Sequence, residues 1–85
     1  MEIFNGVTTI LSELSGIETL HPEQELQGEL GLDSLQLVTL LVMLEDAFEI
    51  VLDESDMNPF DLTTVSQVVE LVEKYLGGKK NEKNS

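Results

Sequence analysis

The stretch Glu29-Leu30-Gly31-Leu32-Asp33-Ser34-Leu35 holds the side chain best placed for chemistry. Asp33 is a strong helix N-cap, so Ser34 falls in the first turn of the helix that follows. Backbone N–H groups there have no intrahelical partner, and the helix dipole favours an anion. A phosphodiester on the Ser34 hydroxyl would suit that local field. Gly31 permits a sharp approach of the chain, which brings a bulky group to the surface. The plainer alternative is that Ser34 simply begins a helix, as serines near N-caps commonly do.

Other residues offer less. The run Asp53-Glu54-Ser55-Asp56 suggests Ca²⁺, but an EF-hand loop from Asp53 needs Gly at its sixth place and Glu at its twelfth. Asn58 and Thr64 stand there instead. A solvated acidic face is expected, with a weak, non-specific cation site as the alternative. His21 is the only His and precedes Pro22. Ser-His catalysis would also need an orienting acid and an oxyanion hole, so His21 reads as a surface residue and no catalytic activity is expected. Phe4, Phe48, Phe60 and Tyr75 are few and helix-spaced, which reads as core rather than a base-stacking platform.

The elements that must position Ser34 follow from apolar spacing. Ile3, Val7, Ile10, Leu11 and Leu14 lie on one face of a helix over about 3–15, and Gly16 supplies a C-terminal stop. Residues 17–32 read as a long connection carrying His21-Pro22, two glycines and four glutamates. Leu20, Leu26, Leu30 and Leu32 are expected to tuck onto the core. A loop this long in a small domain is usually functional or poorly ordered. Asp33 with Gln36 makes a capping-box pattern. The second helix then runs through Leu35, Val38, Leu40, Leu41, Leu44 and Phe48. Asn58-Pro59 predicts a cap and first helical residue for a short helix near 60–62. A last helix starts at Thr64, with Gln67 three residues on, and buries Val65, Val68, Val69, Val72 and Tyr75 or Leu76. Gly77-Gly78 is expected to end it, giving one domain over 1–77 and a disordered tail over 78–85. Three substantial helices and one short one make an all-α bundle.

Composition narrows the function classes. The 85 residues suffice for one domain and a modest core. There is no Cys, so disulfides and thiolate metal sites are excluded, and any thiol must come from a cofactor. Seventeen acidic and four basic residues give −13, and all four lysines (Lys74, Lys79, Lys80, Lys83) come late. Residues 79–85 hold three Lys and one Glu, so the rest of the chain carries −15. Nucleic acid and anionic membranes would be repelled. Basic partner surfaces are favoured, chiefly through faster encounter. Alternatively, the acidity only keeps a small protein soluble. Met1-Glu2-Ile3-Phe4 is not expected to open a signal peptide, and Leu40 to Leu44 is too short an apolar run to span a bilayer. A cytoplasmic monomer is expected.

Leu30-Gly31-Leu32-Asp33-Ser34-Leu35, followed by an amphipathic helix, resembles the phosphopantetheine attachment site of acyl carrier proteins. Leu44-Glu45-Asp46-Ala47-Phe48 and Leu62-Thr63-Thr64-Val65 look like the same family, so the likeness runs from the first helix to Leu76. The resemblance implies a four-helix bundle of acyl-carrier type, with three main helices and one short one. It implies that Ser34 accepts 4′-phosphopantetheine from coenzyme A through a separate Mg²⁺-dependent phosphopantetheinyl transferase. Asp33 and Leu35 flank that cofactor site. The terminal thiol of the arm would hold an acyl group for fatty-acid, polyketide or specialised lipid assembly. The alternatives are an aminoacyl or peptidyl carrier, and an unmodified acidic interaction module. Partners would be the transferase and acyl-loading or acyl-processing enzymes with basic or apolar docking surfaces.

The second helix is the family's usual recognition surface, and here the sequence departs from the fatty-acid-synthesis version. The early exposed positions hold Gln36 and Thr39 rather than acids, and acidic character returns only at Glu45 and Asp46. Leu37, Val42 and Met43 are expected to be at least partly exposed, joining Gln36, Glu45 and Asp46 in a stickier partner surface. Alternatively they complete the core beneath the long loop.

Overall fold

The structure is a computed structural model that describes residues 2–84, with side chains described through residue 77. Its helices are α1 (Ile3–Ser15), α2 (Ser34–Phe48) and α3 (Val65–Asn84). Two 3₁₀ turns, Glu54–Asp56 and Pro59–Asp61, lie between α2 and α3. α1 packs against both α2 and α3, and the second 3₁₀ turn packs against α2. No strand forms among the described residues, so the fold is all-α as expected.

Local signals act where the chain places them. α1 ends at Gly16, whose φ of 79° lets its N–H reach Ser12 O. Asn58 caps the second 3₁₀ turn through its side chain, and Pro59 opens it. Thr64 and Gln67 exchange hydrogen bonds at the start of α3. Gly77-Gly78 does not end that helix, because the backbone stays helical to Asn84. Glycine lowers helix propensity by about 1 kcal/mol but leaves helical dihedrals open. The tail expected over 78–85 falls on residues whose side chains lie outside the described set.

The core is one cluster of Leu, Val and Ile side chains. Val7, Ile10 and Leu11 come from α1, and Val65, Val68, Leu71 and Val72 from α3. The connection over 17–32 is well tied down. Leu20, Leu26, Leu30 and Leu32 are all buried in the same cluster. Leu26 N donates to Thr63 O at 2.8 Å, Val65 N to Gln24 O at 3.0 Å and Ser66 N to Pro22 O at 2.9 Å. The middle of the loop therefore pairs with the chain that opens α3.

α2 buries a different stripe from the expected one. Leu37 is 0 % exposed and joins Leu40, Leu41 and Leu44, while Leu35 is 74 % exposed and Val38 is exposed too. Leu37 is thus core rather than surface: spacing of three and four residues from Leu37 puts all four on one face. Met43 packs partly buried against the cluster, and Val42 is 52 % exposed. Phe60, expected in the core, is 63 % exposed on its short turn. Leu37→Ala should cost about 2 to 5 kcal/mol. Val42→Ala should stay within about 0.5 kcal/mol of the parent protein. Urea unfolding of both variants checks the assignment.

The acidic run after α2 has a structural task that the sequence did not suggest. Asp53 caps the first 3₁₀ turn, accepting from Ser55 N. Tyr75 Oη of α3 accepts from Asp53 N at 2.7 Å and donates to Asp56 Oδ2 at 2.6 Å. Lys74 Nζ lies 2.9 Å from the same oxygen. The Tyr75 bond first, then Lys74, hold the Asp56 carboxyl below its usual 3.8. The same Asp56 bond and then burial push the Tyr75 phenol above its usual 10.0. The Asp56 contribution to stability is therefore present above pH 3.8 and is lost as pH falls through the lower folded value. The Tyr75 contribution is present below pH 10.0 and is lost as pH rises through the higher folded value. Asp56→Asn should lower the unfolding midpoint at neutral pH and flatten its decline below pH 3.8, as measured by urea titrations across pH.

Candidate functional site

The start of α2 is built by its own side chains. Gly31 takes φ 74°, and Leu30 and Leu32 on either side of it are buried. This pins the approach to the core while Gly31 itself turns the chain. Asp33 adopts an extended conformation as N-cap, and its Oδ1 accepts from Gln36 N at 2.8 Å. Gln36 Oε1 accepts in return from Asp33 N at 3.2 Å. The capping box expected from the sequence is therefore closed.

Ser34 is the first helical residue and is exposed. No hydrogen bond engages its Oγ among the described residues. Leu35, beside it, is also exposed. The backbone N–H groups of the first turn face the same end of the helix. An exposed, unengaged hydroxyl at the positive end of a helix dipole fits a covalent phosphodiester better than a plain capping role, since the cap is already Asp33.

A model of the phosphopantetheine attachment site family matches residues 5–72. The chain belongs to the acyl carrier protein family. This carrier is 37 % identical to an acyl carrier protein of Thermotoga maritima over 78 residues, covering 89 % of this chain and 94 % of the relative. It is 39 % identical to an acyl carrier protein of Desulforapulum autotrophicum over 77 residues, covering 87 % and 97 %. A meromycolate extension acyl carrier protein of Mycobacterium leprae is 33 % identical over 75 residues, covering 86 % of this chain and 64 % of the relative. Phosphopantetheine is accordingly the cofactor class of this carrier. No helix among its described residues is long and apolar enough to cross a membrane.

The expected partner residues do not form one surface. Val42 and Asp46 are exposed and border an open hollow with Glu45, Ile50 and Val51. Glu45 is half-buried, and its Oε2 accepts from Leu52 N at 2.8 Å. Leu37 is core and Met43 packs against it. Gln36 is half-buried, engaged with Asp33 and also donating from Nε2 to Leu14 O at 3.2 Å. Leu35 and Val38 are exposed although their spacing fits a buried stripe equally well.

Asp33→Ala should cost the carrier about 1 kcal/mol through loss of the cap, whereas Asp33→Asn keeps an acceptor and should cost little. Chemical denaturation of the two variants distinguishes capping from a charge effect.

Proposed function

We propose that Ser34 is the attachment point for 4′-phosphopantetheine and that the protein shuttles an acyl group between enzymes without catalysing a reaction itself. The observation that carries this reading is the exposed Ser34 Oγ, without an intramolecular partner among the described residues, on the first residue of a firmly capped helix. A phosphopantetheinyl transferase directs that oxygen onto the pantetheine-bearing phosphorus of coenzyme A. The Oγ–P bond forms, adenosine bisphosphate leaves, and the Ser34 proton passes to a base on the transferase. When bound, the group supplies a terminal thiol that holds the acyl chain as a thioester. Asp33 keeps the turn closed, and Leu35 presents an apolar side chain beside the arm.

We assign the carrier to a dedicated pathway, of polyketide, aminoacyl or specialised lipid type, rather than to general fatty-acid synthesis. The early exposed face of α2 supports this: it presents Leu35, Val38 and Thr39 where acidic side chains would serve a general synthase. The likeness to a carrier named for meromycolate extension is in keeping with lipid assembly. Partner enzymes would meet Leu35, Val38, Val42 and Asp46, an apolar strip ending in a negative charge. A net charge of −13 steers basic partners in and opposes self-association, so the carrier works as a monomer. The cytoplasm is the compartment we assign to it.

Intact mass after incubation with coenzyme A, Mg²⁺ and a broad-specificity phosphopantetheinyl transferase tests the attachment. The wild type should gain one phosphopantetheine and Ser34→Ala none. A folded wild type that gains nothing would move the protein to the class of unmodified acidic interaction modules.

A further inference from the structure

Gln36 stands two residues after Ser34, and its side chain is hydrogen-bonded at both ends. Oε1 accepts from Asp33 N at 3.2 Å, on the residue before Ser34. Nε2 donates to Leu14 O at 3.2 Å, across a sequence separation of 22 residues. Leu14 lies in the last turn of α1, where carbonyls lack an intrahelical partner. One half-buried amide thus joins the cap of α2 to the end of α1. Helix ends fray unless held; buried Leu32 and Leu37 fix the chain on either side of Ser34, and the cap holds the turn to its own helix. The bond to Leu14 ties that turn to the packed α1–α2 pair.

We infer that Gln36 is a positioning residue for the modification of Ser34. It anchors the turn to α1 and so presents the hydroxyl in one orientation to the transferase. The inference rests on the reading of Ser34 as the attachment point. Group transfer needs the reacting atoms about 3 to 3.5 Å apart and aligned, and small misplacements cost rate rather than binding. Gln36 does not touch the reacting atoms. Its side chain is turned inward to Asp33 N and Leu14 O, so its effect runs through the backbone of Asp33 and Ser34.

Two substitutions separate its bonds. Gln36→Glu keeps an acceptor for Asp33 N but loses the donor to Leu14 O. Gln36→Ala loses both. Steady-state modification by a broad-specificity phosphopantetheinyl transferase should show kcat lowered on the order of tenfold in both variants, with KM within about twofold of wild type. ¹⁵N relaxation on the unmodified proteins gives an independent readout. Backbone order parameters at Ser34 and Leu35 should fall from about 0.85 to below about 0.6, below the melting temperature of each variant. Raised KM with unchanged kcat would overturn the inference and make Gln36 a partner contact. Unchanged kcat and order parameters with only a lower melting temperature would overturn it in favour of a purely structural role. A wild type that is not modified would sink the reading of Ser34 itself, whereas a modified wild type with normally modified variants sinks this inference alone.

Discussion

The short antiparallel pairing of Gln24 and Leu26 with Thr63 and Val65 is the contact on which the arrangement depends. The connection over 17–32 has no regular helix to satisfy its backbone, yet it must cover one side of the core. Pairing with the strand-like entry to α3 satisfies Leu26 N, Val65 N and Ser66 N. It also lowers Leu20, Leu26, Leu30 and Leu32 into the cluster shared by the three helices. Leu32 N then bonds to Leu26 O, so the same contact delivers the chain to Asp33 and Ser34 in a defined position. A free loop of that length would leave Ser34 on a tether; here it emerges from a packed layer.

Charge poses the second constraint. With 17 acidic residues and 4 lysines, most carboxylates have no cation to pair with. Several are instead put to use as acceptors for N–H and O–H donors that helices and turns leave unpaired. Asp33 closes the start of α2, Glu45 takes Leu52 N, Asp53 takes Ser55 N and Asp56 takes the Tyr75 hydroxyl. Charge-assisted bonds of this kind are stronger than neutral ones. Among the described residues the one ion pair, Lys74 with Asp56, is added to such a bond rather than replacing it. Most of the other described acids are exposed, where their repulsion costs stability but keeps anionic surfaces away and draws basic ones in.

These two constraints meet at the start of α2. The residues on either side of Gly31 are buried, the cap is closed by Asp33 and Gln36, and Gln36 reaches α1. Ser34 and Leu35 stay exposed between buried Leu32 and Leu37. The result is an exposed serine at the start of a helix whose flanking residues are packed and hydrogen-bonded. The apolar strip of Leu35, Val38 and Val42 extends from that point along α2.

The sequence by itself determined the three main helices and most of their ends, though neither the end of α3 nor the Glu54–Asp56 turn. Gly16, the Asp33–Gln36 box, Asn58-Pro59 and Thr64–Gln67 are local interactions between near neighbours, so their residue types suffice to announce them. It also placed Ser34 in the first turn of α2 and the four loop leucines in the core. Only the tertiary structure decided which side of α2 faces inward. That helix carries two apolar stripes, Leu37-Leu40-Leu41-Leu44 and Leu35-Val38-Val42, each with helical spacing, and periodicity cannot choose between them. Burial of the first and exposure of the second follow from how α1 and the second 3₁₀ turn meet α2. The same holds for the bonds of Gln36 to Leu14 and of Tyr75 to Asp53 and Asp56, which join residues 19 to 22 positions apart. Such contacts leave no mark on local spacing, because they exist only after the helices have packed.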